Sequence, residues 1–119
     1  LAILGPDPFS TIASGSSYIN VYEKSHGRDT DDTVRFRGPI WTSSDADGFQ
    51  NPVTFDGISG SNIANSSGYS ITIGKRDSSG DVTATDDYYY FTVDTDTATS
   101  GGVSGGGNNC TAGPATLEA

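Results

Sequence analysis

Gly68-Tyr69-Ser70-Ile71-Thr72-Ile73-Gly74, followed after a polar run by Tyr88-Tyr89-Tyr90-Phe91-Thr92-Val93-Asp94, is the stretch on which the fold turns. Tyr69, Ile71 and Ile73 alternate with Ser70 and Thr72, and Tyr89, Phe91 and Val93 alternate with Tyr90 and Thr92. Successive side chains of a strand point to opposite faces, so each segment predicts a strand with one buried and one wet face. Between them, Asp77-Ser78-Ser79-Gly80 carries turn chemistry, because Asp and Ser side chains bond their own backbone and Gly accepts positive φ. The expectation is an antiparallel hairpin whose two apolar stripes face a common core.

Working outward, Ser17 to Lys24 predicts a strand with Tyr18, Asn20 and Tyr22 on one face and Ile19 and Val21 on the other. Thr33 to Phe36 predicts another, with Val34 and Phe36 inward and Arg35 and Arg37 outward, broken by Gly38-Pro39 ahead of Trp41, which is expected in the core. Val53-Thr54-Phe55 is a short strand, Asp56-Gly57 a turn signal, and Val82 to Thr85 a further edge strand. Six or seven short strands between turns, with no amphipathic helical run, predict an all-β fold: a single antiparallel sandwich over residues 17–95. It is flanked by an extended N-terminal arm, 1–16, and a tail, 96–119, whose Gly101 to Gly107 segment has the composition of a flexible linker.

The arm places Leu1, Ile3, Leu4, Phe9 and Ile12 around Pro6 and Pro8. The prolines hold it extended and exclude the long apolar helix with which type IV pilins begin. Its apolar side chains need a partner. Either the arm folds back as an edge strand of its own domain, or it forms a subunit interface.

With 119 residues the chain suits one domain. Leu, Ile, Val and Phe make up only 22 of those residues, so the core is thin and help from a ligand, metal or neighbouring subunit carries weight. The 13 Asp and 2 Glu against 6 Lys and Arg give a net charge of -9, which disfavours nucleic acid as a partner because phosphate binding needs a basic footprint. Such an Asp-, Ser- and Thr-rich surface suits an extracellular, cell-surface location. Cys110 is the single cysteine, which rules out an intrachain disulfide. The absence of Met, with Leu1 first, suggests a processed or excised chain. No apolar run reaches the roughly 18 residues that a membrane span requires.

The chemistry-bearing residues are sparse. His26, the only histidine, lies in a polar loop, and Cys110 lies in the Gly-rich tail, so no nucleophile, base and orienting group come together and no enzymatic activity is expected. Ser43-Ser44-Asp45-Ala46-Asp47-Gly48 resembles the first half of a calcium loop, making Asp45 and Asp47 candidate ligands, although Thr54 stands where the bidentate Glu would be. Asp29, Asp31 and Asp32, and Asp86, Asp87, Asp94 and Asp96, form further acidic groups. Calcium is the one cofactor these residues suggest. Asn65-Ser66-Ser67 and Asn109-Cys110-Thr111 are N-glycosylation sequons. Tyr88 with Tyr90, and Tyr18 with Tyr22, share strand faces at i and i+2, where exposed rings could stack on sugars or line a subunit interface.

Gly68-Tyr69-x-Ile71-x-Ile73, the Asp/Ser/Gly turn and Tyr88 to Val93 together resemble the last strands of immunoglobulin-like repeats in prokaryotic cell-surface and filament-forming proteins, archaeal ones among them. The likeness covers those strands closely and Ser17 to Val93 loosely, without the paired cysteines of antibody-type domains. It implies an Ig-like sandwich with a non-enzymatic adhesive, surface-layer or filament-building role. The leading expectation is a glycoprotein subunit of a pilus-like homopolymer, in which the arm acts as a donor strand for the next copy. The alternative is a carbohydrate-binding or accessory module of a secreted protein, with surface glycans as partners.

Overall fold

The computed structural model describes residues 2–37, 54–93, 95–106 and 110–114. In chain order they form β1 (Ala2–Ile3), β2 (Phe9–Thr11), β3 (Tyr18–Tyr22), β4 (Thr33–Arg37), β5 (Thr54–Phe55), β6 (Ile58–Ser59), the single helical turn α1 (Gly60–Ile63), β7 (Tyr69–Ser70) and β8 (Thr72–Ile73). There follow β9 (Lys75–Arg76), β10 (Val82–Thr83), β11 (Tyr88–Thr92), β12 (Ser104–Gly105) and β13 (Thr111–Gly113). The protein is all-β, and its strands form two principal antiparallel sheets, ordered β12-β2-β3-β11-β8 and β1-β13-β4-β7, plus the two-stranded ribbons β5-β6 and β9-β10. Among the described residues no helix is long and apolar enough to cross a membrane.

Alternation explains why the sheets pack. Ile19 and Val21 of β3, Val34 and Phe36 of β4, and Tyr89 and Phe91 of β11 all point inward and are buried. Each such side chain contributes about 1.5 to 3 kcal/mol by leaving water. Phe36 joins the two sheets: its ring meets Phe9 edge-on at 5.0 Å and stacks near Phe91 at 5.2 Å and Tyr89 at 6.4 Å. These offset and edge arrangements suit the ring quadrupoles. At the β5-β6 ribbon, Asp56 (φ 49) and Gly57 (φ 84) are both left-handed, the geometry of a two-residue hairpin turn whose twist matches that of its strands.

The hairpin expected from Gly68 to Asp94 is only partly formed. β8 does pair with β11, Tyr89 opposite Ile73 and Tyr90 opposite Thr72. β7, however, pairs with β4 in the other sheet, Val34 opposite Tyr69. The chain changes sheets at Ile71, which is buried and exchanges backbone hydrogen bonds with Asp31 and Asp32. The Asp77 to Gly80 turn closes the β9-β10 ribbon instead of joining the long strands. Asp77 Oδ1 accepts from the N–H groups of Ser79 and Asp81, and Gly80 sits at φ 88.

Arm, central region and tail all contribute strands to the same sandwich. β2 lies between β12 and β3, and β1 pairs with β13, which in turn pairs with β4. Leu4 and Phe9 are therefore buried in the chain's own core, the fold-back arrangement. In the tail, glycine serves close approach more than flexibility. A Cβ on Gly105 would lie 2.5 Å from the Phe55 ring, and one on Gly101 would lie 2.6 Å from the backbone of Ala13. Trp41 lies outside the described residues.

Candidate functional site

The outer face of the five-stranded sheet gathers the tyrosines. Antiparallel register sets Tyr88 opposite Tyr22, Tyr90 opposite Asn20, and Thr92 opposite Tyr18. Tyr22 and Tyr88 stand 5.1 Å apart between ring centroids, and Tyr18 and Tyr90 5.7 Å. The two pairs that the sequence places separately on β3 and β11 thus form one aromatic surface.

The β9-β10 ribbon folds across this surface and is held by Asn20. The Asn20 side chain is almost fully buried; its Nδ2 donates to the Arg76 carbonyl at 2.8 Å and its Oδ1 accepts from the Arg76 N–H at 3.0 Å. A side-chain amide imitates a neighbouring strand here, satisfying both backbone groups of Arg76. The Arg76 guanidinium in consequence lies over the Tyr18 ring, Cζ 3.8 Å from the centroid, and 5.8 Å from that of Tyr90. Lys75 Nζ sits 4.7 Å from the centre of Tyr88. Each contact draws a cation to the negative face of a ring. Among the described residues neither Lys75 nor Arg76 forms an ion pair, and the only salt bridge, Arg28 to Glu23 at 3.0 Å, lies elsewhere. Between β9, β2 and β12 opens a cleft of about 320 Å³, lined among others by Ser10, Lys75, Arg76, Ser78, Tyr88 and Ser104.

A second polar group is internal. Tyr89 donates its phenol to Glu23 Oε1 at 2.7 Å, the same oxygen that Arg28 Nε reaches at 3.0 Å. Burial, reinforced by the Glu23 charge, pushes the Tyr89 phenol well above its ordinary range. Arg28 Nη2 also donates to the Ala112 carbonyl, tying the loop after β3 to β13. His26 accepts the Arg28 N–H at Nδ1, so Nε2 carries the proton toward the Tyr88 carbonyl, and the ring packs edge-on against Tyr89. Every member has a partner, which makes this a latch joining loop, β11 and β13.

The remaining sequence candidates are dispersed. Ile3 of the arm is 81% exposed, Leu4 and Phe9 are buried, and Ile12 is half-buried; Leu1 lies outside the described residues. Ile3 borders a groove of about 550 Å³ shared with Tyr22 and His26. Asn65 is exposed, and its Oδ1 accepts from the Ser67 N–H at 2.8 Å; Asn109 lies outside the described residues, as do Asp45 and Asp47. Among the described residues no group of three or more His, Cys, Asp or Glu side chains is arranged to hold a metal ion. Several of their carboxylates are turned onto backbone N–H groups instead: Asp32 onto Asp29, Asp87 onto Ser25, and Asp96 onto Ser59. Cys110 is buried and bonds the Gly106 carbonyl at 3.0 Å.

Nothing in the sequence marks Lys75 and Arg76 as ligand-binding residues, since two cations after a strand look like ordinary surface. The signal that could have found them is their position directly after β8, where the ribbon has to turn back over an aromatic face. No family model, curated protein or solved structure matches the chain.

Proposed function

We propose that the chain is a structural subunit of an extracellular filament or surface layer, assembled by exchange of the segment carrying β1 and β2 between neighbouring copies. The observation that carries this reading is that β2 is an inner strand, with Phe9 fully buried, that joins β3 through a short link containing Gly15 at φ 80. The contacts made within one chain can be made identically in the next one, by main-chain pairing with β3 and β12 and by insertion of Leu4 and Phe9. A head-to-tail exchange of this kind does not close on itself, and so extends as a fibre. Self-insertion competes at the effective concentration of a tethered strand, on the order of millimolar, so exchange is favoured where subunits are densely packed. Ig-like surface repeats, glycan decoration of Asn65 and a non-enzymatic role accord with this reading.

The test is complementation. A chain beginning at residue 17 is expected to be poorly folded alone and to regain its β-sheet signal on addition of a peptide spanning residues 1–16. Electron microscopy of the native material is expected to reveal filaments or a lattice. Normal assembly of a chain lacking residues 1–12 would refute the exchange.

A second reading, a carbohydrate-binding module, is favoured by the four tyrosines gathered beside the Ser-rich cleft. Affinity for an insoluble glycan that disappears on replacing Tyr88 and Tyr90 with alanine supports it, and unchanged retention by that variant overturns it.

A further inference from the structure

We propose that the cleft between β9, β2 and β12 binds an acidic saccharide, with the carboxylate of a uronic acid type of sugar seated on Arg76 and Lys75. This rests on the carbohydrate-binding reading of the tyrosine face and assigns it a ligand class.

Three observations carry it. The first is the state of the rings: Arg76 covers Tyr18 and Lys75 covers Tyr88, so the aromatic surface is not a bare stacking platform for a neutral sugar. The second is the state of the cations. In a chain of net charge -9, two of the six Lys and Arg residues are adjacent here, and among the described residues their side chains meet aromatic faces but no carboxylate. Nearby Asp77 lines the same cleft, but its Oδ1 is occupied by the Ser79 and Asp81 N–H groups. A guanidinium whose Cζ lies over a ring face, 3.8 Å from the Tyr18 centroid, still has N–H donors with which to receive a carboxylate in bidentate fashion. The rigidity comes from Asn20, which fixes the Arg76 backbone and spares the ligand the cost of ordering the ribbon. The third observation is the rest of the lining: Ser10, Ser78 and Ser104 supply hydroxyls that both donate and accept, matching sugar hydroxyls, and the Tyr88 ring edges the cleft. Its volume of about 320 Å³ is at the lower end for ligand sites and suits one or two sugar units.

The experiment is calorimetric titration of the full chain with short oligogalacturonate, alginate and hyaluronate fragments, each beside its methyl-esterified, uncharged counterpart of equal length. The expected result is binding of at least one acidic oligosaccharide, weaker by about ten-fold or more for its ester, as loss of a charge-assisted hydrogen-bond pair requires. Arg76→Gln is expected to abolish that preference, and Lys75→Gln to reduce it together with its dependence on salt. The Arg76 backbone, not its side chain, holds the ribbon, so Arg76→Gln should keep the fold, which amide spectra verify. If esters bind as tightly as acids, or Arg76→Gln retains the preference, the acidic-ligand assignment is overturned while carbohydrate binding stands. If no oligosaccharide in either form binds, both are overturned.

Discussion

Replacing Phe9 with alanine removes a ring that is fully buried between the sheets and meets Phe36 edge-on at 5.0 Å. Truncating a buried Phe costs about 3 to 5 kcal/mol, through lost transfer free energy and the cavity left behind. The core here is thin, and a domain of this kind has about 5 to 15 kcal/mol of stability to lose. The paired control is Ile3→Ala, on β1 in the same segment but at a side chain that is 81% exposed. That change is expected to stay within about 0.5 kcal/mol. Urea unfolding followed by far-ultraviolet circular dichroism reads the difference: at a slope of about 1 to 3 kcal/mol per molar, Phe9→Ala lowers the midpoint by at least about 1 M, and Ile3→Ala barely moves it. Should the two variants unfold at the same urea concentration, the segment before residue 12 would contribute nothing to the core, and the placement of β2 between β3 and β12 would be refuted, along with the exchange built on it.

Asn20→Ala deletes both hydrogen bonds to the Arg76 backbone and is expected to cost about 1 to 3 kcal/mol while freeing the β9-β10 ribbon; rapid hydrogen exchange at the Arg76 amide, without comparable change at Phe91, checks it. Partial burial pushes the Asp56 carboxyl up, but bonds from Thr11 Oγ1 and from the Gly101 and Ser100 N–H groups outweigh it and hold the group at about 2, against an ordinary 3.8. A depressed carboxylate contributes stability above its unfolded pKa and loses it as pH falls through the folded one, so the gap between the native chain and Asp56→Asn, about 1 kcal/mol at neutral pH after allowance for solvent screening, should close between pH 3.8 and 2 in denaturant titrations. Burial, with the Asp7 charge adding to it, pushes the Cys110 thiol up to about 12, so a thiol reagent at pH 8 should label the native chain only as fast as it opens, and the denatured chain at once. Fast labelling of the native chain would contradict the buried position of Cys110.

The strands with clean alternation were legible because each buries one face against a neighbour: β3, β4 and β11 lie within a residue or two of where their patterns place them. Tyr69 and Ile73 belong to one alternating run, yet it is split between sheets, because periodicity records which face is buried and not which neighbour buries it. The arm and tail were harder for a different reason. Glycine lowers apparent order in a sequence whether it serves flexibility or close packing, and only the 2.5 Å approach of a Cβ on Gly105 to Phe55 separates the two. The same limit applied to the candidate site. Tyr18 and Tyr22, or Tyr88 and Tyr90, were readable as same-face pairs, but their union needed the register of β3 against β11, and the cations over them needed the fold of a ribbon anchored by Asn20.

The pairing of Ala2 with Ala112 and of Phe9 with Gly105 also governs when this chain can fold. Neither principal sheet has its full strand order until β12 and β13 exist, and both follow every other strand in the chain. Contacts this distant in sequence are closed late and slowly, since the entropy of a long loop is lost before the pairing rewards it. A nascent chain halted before residue 104 leaves β2 without its outer neighbour and β4 without β13, both edges open to stray pairing. The sandwich therefore cannot close before residue 113 has been made, and a chain cut short before β12 should fail in the same way as one begun after β2.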